Sequence, residues 1–114
     1  MDVAIWGADG ARVIDTTERL IDAMHTGDTE ALLCEDADIE FGDAQDWDST
    51  AAGEPEKYNA EYFPDYAALD PDWMINVEHT NPDLQSGDVI PGDVFYRKTD
   101  DGPCVLDVSW VTVA

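Results

Sequence analysis

Basic residues are what this chain most lacks: five Lys and Arg stand against 27 Asp and Glu, a formal net charge of −22 over 114 residues. So acidic a surface repels nucleic-acid phosphates and anionic lipid headgroups, which argues against both as partners. Long apolar runs are missing as well; none approaches the ~18 residues that a membrane-spanning helix requires. The opening MDVAIWGADG has neither the basic start nor the apolar length of a signal peptide. It reads as the start of a cytoplasmic chain, or of a mature exported chain whose signal Met1 has replaced. Cysteine and histidine number two each, at positions 25, 34, 79 and 104, a spacing that forms no metal finger. There is no Gly-rich phosphate loop and no GxSxG elbow. No catalytic residue, metal or cofactor is assigned on these grounds.

Apolar residues make up 44% of the chain and include four Trp, enough for one packed core. No internal repeat or long linker divides the sequence, so residues 1–114 read as a single domain. Three readings fit the acid excess of 19 Asp and 8 Glu: a solvated surface, adaptation to high salt, or an acidic partner-binding or DNA-mimic protein. A mimic would gather its acids on one surface, whereas these are spread along the chain. Like charges repel across so small a sphere, and salt shortens their reach from ~10 Å at 0.1 M to ~3 Å at 1 M. The melting temperature should therefore climb toward molar NaCl; a flat or falling series of thermal melts would show that repulsion does not limit stability.

The most organised stretch runs from residue 12 to 41. Val13, Ile14, Thr17, Leu20, Ile21 and Met24 recur at three- and four-residue steps, the apolar stripe of a helix that begins near Gly10 and ends at Gly27. Ala4, Ile5 and Trp6 could staple its start. His25, in its last turn, reads as a surface or capping residue. Asp28 is expected to cap a short second helix through Leu33. After Glu35 the period becomes two: Ala37, Ile39 and Phe41 alternate with Asp38 and Glu40, as in a half-buried strand.

Residues 42–55 form a Gly- and Asp-rich loop. Asp36, Asp38 and Glu40 imitate the start of an EF-hand loop, but Gly42 falls at its seventh position and Trp47 at its twelfth, which argues against calcium. Trp47, alone among acids, is expected to fold back over the core or a pocket. Pro55 fits the first turn of a third helix, with Tyr58 and Tyr62 stacked one turn apart and Pro64 ending it. From Trp73 the chain reads as β. Ile75, Val77 and His79 share one face of a strand over 73–80, a second strand lies within 89–98, and Asp100-Asp101-Gly102 makes a hairpin turn. In the last strand, about 104–113, Cys104, Leu106, Val108 and Trp110 are expected to meet the helices, with Val105, Asp107, Ser109 and Val111 turned away.

That order of elements, and above all TTERLIDAMHTGDTEALLCEDADIEF over 16–41, resembles the helix–"GD"–helix–strand opening of the NTF2-like superfamily, which includes SnoaL-like proteins and ketosteroid isomerase. The resemblance implies an α+β fold in which a curved antiparallel sheet wraps a long N-terminal helix around a conical pocket. It implies for the isomerase branch a pocket tyrosine where this chain has Leu20, a general base around Glu40 and Phe41, and a buried protonated acid for which Asp107 is the match. The residues thus point first to a non-catalytic or accessory binding domain. An alternative is a SnoaL-like isomerase, cyclase or dehydratase using His79 and a carboxylate such as Glu40.

The expected pocket is floored by Trp110 and His79, walled by Tyr58 and Tyr62 and covered by Trp47, suiting a flat, mostly apolar small molecule. A second copy of the chain, as a homodimer, is the other partner this reading admits. Cys34 and Cys104 either bond to each other, which would suit an extracellular or periplasmic protein, or remain two buried thiols in the cytoplasm.

Overall fold

The apolar stripe forms helix α1, Asp2–Thr26, broken at Gly7 (φ 78°, ψ 179°) and starting well before Gly10. A computed structural model describes residues 2–35 and 37–114, the first five by backbone alone. The staple expected of Ala4, Ile5 and Trp6, and the Asp36 that opens the EF-hand-like run, lie outside what is described. Gly27 closes α1 as expected, at φ 83°, and the N–H groups of Gly27 and Asp28 both return to the Ala23 carbonyl at 2.7 and 3.2 Å. The short second helix is only a 3-10 turn, Glu30–Leu32. Thr29 rather than Asp28 stands at its cap, without a side-chain bond.

Four strands follow: β1 (Thr50–Lys57), β2 (Trp73–His79), β3 (Val89–Thr99) and β4 (Gly102–Thr112). They pair antiparallel in chain order, β1-β2-β3-β4, with Asp100 and Asp101 forming the tight turn between the last two. The fold class is α+β, one long helix against a curved four-stranded sheet. On the helix side, Val13, Leu20 and Ile21 pack with Trp47 against Ile75, Val77, Val94, Tyr96, Val105 and Val108. Thr17 is also buried there; its hydroxyl donates to the Val13 carbonyl at 2.7 Å and lies 2.6 Å from the Tyr96 hydroxyl. The Tyr96 phenol is pushed far up by its full burial.

Two expected elements are absent. Residues 37–41 keep their alternation, with Ile39 and Phe41 half-buried on the core and Asp38 and Glu40 exposed, yet they form no strand. Leu33 makes a single parallel bridge to Val105, and Cys34 N–H donates to the Val105 carbonyl at 2.9 Å. Beyond that point the indoles of Trp110 and Trp47 take the carbonyls of Glu40 and Phe41, each at 2.8 Å. Side chains thus occupy acceptors that a ladder would have used.

The third helix is replaced by β1 and a turn. Pro55 is buried in β1, where the loss of one N–H is tolerated because the strand lies at the sheet's edge and beside a bulge. Asn59 then bends the chain: its side-chain oxygen accepts from Glu61 N–H at 2.9 Å, and its carbonyl accepts from Tyr62 and Phe63. A further 3-10 turn, Pro64–Leu69, carries Tyr66 over the sheet face opposite α1.

Three register shifts interrupt the sheet, two on one row through the Asn76–Asp93 pair and the third two residues along β3 at Phe95. Two residues of β1, Gly53 and Glu54, oppose Asn76; Gly92 and Asp93 of β3 oppose Ser109; Leu106 and Asp107 of β4 oppose Phe95. The Asn76 amide lies so close over Gly53 that a Cβ there would meet it at 2.3 Å. The β4 bulge changes the face on which successive residues fall. Val105 and Val108, three apart, both meet the helix side, while Cys104 and Leu106 join a second cluster with Cys34, Met74 and Phe95. Strict alternation had put Val105 outward and Cys104 and Leu106 inward. The extra residue explains both errors, and Val108 and Trp110 stand on the expected side.

Candidate functional site

The five residues expected to build one pocket do not surround a common space. Trp47 is 0% exposed, a core residue and not a cover. Trp110 packs edge-on against it with ring centroids 6.5 Å apart. Tyr58 belongs to the opposite side of the sheet, edge-on to Phe95, and its hydroxyl donates to the Phe63 carbonyl. Tyr62 is 76% exposed. His79 borders a different cleft, and its Nε2 donates to the Pro91 carbonyl at 2.7 Å. Glu40, its suggested carboxylate partner, accepts instead from Gly42 N–H at 3.1 Å. Branched aliphatics, Trp47 and Tyr96 fill the space between α1 and the sheet that a conical pocket would need.

Two openings lie elsewhere. The first, about 380 Å³, is at the C-terminal end of α1 and is bordered by Asp46, Asp48, His79, Asn81 and Asp88. Its polar groups are already engaged in holding loops. Asp46 accepts from Asp43 N–H at 2.8 Å, Asp88 from Gln85 N–H at 2.9 Å, and Asp48 from His25 Nε2 at 2.7 Å. His25 also donates through Nδ1 to the Ile21 carbonyl at 2.9 Å. Two donating nitrogens describe an imidazolium, and the bond to Asp48, followed by that to Ile21, raises its pKa above the ordinary 6.5. The sequence placed His25 as a surface or capping residue; it also ties the helix end to the loop after the 3-10 turn Ala44–Trp47.

The second opening is a groove of about 570 Å³ between the exposed 12–19 face of α1, residues 31–35 and the β3–β4 hairpin at 99–104. The Cys34–Cys104 disulfide, Cα–Cα 4.8 Å, forms part of its lining and joins two of its walls. Arg12, Asp15, Thr16 and Arg19 border it from the helix at i, i+3, i+4 and i+7. Asp15 pairs with Arg19, 3.1 Å from its Nε. Among the described residues no carboxylate lies within ion-pair distance of Arg12. Lys98 sits close by, 2.8 Å from Asp9, and its hydrogen bond holds that carboxyl below the usual value, with Arg12 adding to the effect. In a chain with five basic side chains, Arg12, Arg19 and Lys98 therefore lie where α1 meets the hairpin.

The outer sheet face carries a third feature. Phe95 is covered by Tyr66, stacked with centroids 4.0 Å apart, and by Tyr58 and Phe63 edge-on. Beside this cluster the bulges turn Asp93 and Asp107 partly inward. Burial raises both carboxyl pKa values above 3.8, helped by Glu56 at Asp93 and by Asp38 at Asp107, where the Val108 N–H pulls the other way. The Tyr66 phenol is raised by burial and then by the charge of Asp107, with a Ser109 hydrogen bond opposing.

Compared with family models, curated proteins and solved structures, the chain matches none. No helix among the described residues is long and apolar enough to cross a membrane, and no cluster among them has the make-up of a metal site. The groove was missed because its walls come from three separate segments. The one signal in the sequence was the pair Arg12 and Arg19, seven residues apart on the polar face of a helix otherwise rich in acids.

Proposed function

We propose that this chain is a non-catalytic binding domain of NTF2-like layout, and that its site is the groove beside the Cys34–Cys104 bond. The layout is supported by the order of a long N-terminal helix, a Gly-Asp corner, a short turn and an antiparallel meander. The observation that carries the function is the groove itself. At about 570 Å³ it lies within the range that holds small molecules, and two guanidinium groups stand at its border, that of Arg12 with no ion-pair partner among the described residues and that of Arg19 beside Asp15. Its lining combines guanidinium, carboxylate, hydroxyl, disulfide and aliphatic groups, which suits holding a polar-ended ligand. A bonded Cys34–Cys104 pair favours an oxidising compartment for the working protein.

A small-molecule screen read by two-dimensional amide NMR tests the reading. Ligands should shift Thr16, Arg19, Leu33 and Gly102 together; compounds that bind only around Phe95 or His79 would overturn it.

The outer-face carboxyls favour a second reading, a SnoaL-like enzyme whose acid is Asp107 or Asp93 beside Tyr66. Carboxyl-carbon NMR titration decides its premise. Ordinary titration of both Asp93 and Asp107 would remove it.

A further inference from the structure

We infer that the groove takes a dianionic small molecule, one anionic head on the Arg12 guanidinium and the other on that of Arg19; the inference rests on the binding-domain reading above. Seven helical residues separate the two arginines, about 10 Å of rise. Both border the same groove. Arginine presents a planar fork of donors that matches carboxylate, phosphate and sulfate oxygens in pairs. Arg12 has no ion-pair partner among the described residues, and Arg19 meets Asp15 through its Nε at 3.1 Å in a solvent-exposed pair that an incoming anion can displace. Of the remaining cations, Lys98 is held by Asp9 at 2.8 Å and Arg97 donates to the Leu69 carbonyl at 2.8 Å, while Lys57 lies outside the groove's border.

Glu35 and Asp101 share the groove's border with Asp15. These carboxylates, together with a net charge of −22, set an upper limit on the charge the groove accepts. A polyanion would run into them at either rim. A compact ligand with an apolar middle can instead place its two heads on the two forks and lay its body along Leu32, Leu33 and the disulfide.

The test titrates the intact, oxidised protein with octanedioate in 0.1 M NaCl, by calorimetry and amide NMR, against propanedioate and the neutral 1,8-octanediol. Octanedioate should bind with shifts around Arg12, Thr16, Arg19 and Gly102, and the short diacid about tenfold more weakly because it cannot span both forks. Arg12→Gln and Arg19→Gln should each weaken binding about tenfold. Lys57→Gln, which removes the same charge outside the groove, should change it less than about twofold. Arg19→Lys, which keeps the charge and loses the fork, should fall between. Octanedioate affinity that survives the double Arg→Gln variant, or equal binding of the diol, overturns the dianion while leaving the groove as a site. Absence of groove shifts with every probe overturns both the dianion and the binding-domain reading.

Discussion

The two faces of the sheet are built on different principles. The helix face is closed by branched aliphatics, Trp47 and Tyr96, and the buried Thr17 hydroxyl is satisfied there by the Val13 carbonyl and the Tyr96 hydroxyl. The outer face is aromatic around Phe95, covered by an irregular segment rather than a helix, and passes at the bulges into half-buried carboxyls. A helix docked by its whole stripe leaves no room for a ligand. A loop covering that rests on three rings leaves edges, and edges are where polar groups stay reachable. The groove lies where both constructions end, on the disulfide that joins residue 34, beyond α1, to β4.

The largest test of this contrast is the disulfide. It closes a separation of 70 residues, worth about 4 kcal/mol on the chain-entropy account. The Cys34→Ser/Cys104→Ser double variant should lose about that much in urea unfolding. Amide exchange should rise first at residues 31–37 and in the Phe95 cluster, with the α1 core protected longest; uniform loosening would show that the two faces are one cooperative unit.

Single truncations sharpen the comparison. Leu20→Ala empties a fully buried site on the helix face and should cost about 3 kcal/mol. Tyr66→Ala removes a half-buried ring that stacks on Phe95 and should cost about 1 kcal/mol. Equal losses in chemical denaturation would erase the distinction between a closed core and a covered one.

Acid–base behaviour should differ by region as well. Asp93 and Asp107 have folded pKa values raised above 3.8, so their protonated forms favour the native state. That contribution is complete below 3.8 and is lost as pH rises through the folded values. Asp93→Asn or Asp107→Asn should therefore raise the melting temperature at pH 7, by roughly 2 °C each because both sites are partly solvated. The gain should vanish near pH 3.5; a gain that persists there would argue against the desolvated acids.

His25 gives the smallest effect. Its pKa is raised above 6.5, so whatever it contributes is present below 6.5 and fades as pH rises through the folded value. Asp48→Asn should bring its NMR titration back toward 6.5, and an unchanged curve would break the assignment of that shift to Asp48.

Much of the architecture was legible from residue patterns. The stripe at 13, 14, 17, 20, 21 and 24 is the buried face of α1, Gly27 ends it, and the β2, β3 and β4 segments lie close to where alternation put them. Where reading failed, tertiary contacts had overruled a local signal. Tyr58 and Tyr62 are spaced for a helix, but Asn59 supplies turn bonds between them. Thr50–Lys57, rich in Ala, Gly and Glu, is a strand because β2 offers it an edge to pair with. A single inserted residue at Leu106–Asp107 reversed the inward and outward assignment of half of β4.

The sequence by itself determined the charge, the helix with its terminating glycine and the strand-rich second half. These follow from composition and from periods of 3.6 and 2, which each segment carries within itself. Only the tertiary structure decided that Cys34 meets Cys104, that Trp47 is core, that the bulges of β1 and β3 align across the sheet, and that Arg12 and Arg19 face a groove. Each of these joins residues far apart in the chain, and their meeting depends on the closure of several loops at once. No local propensity records it.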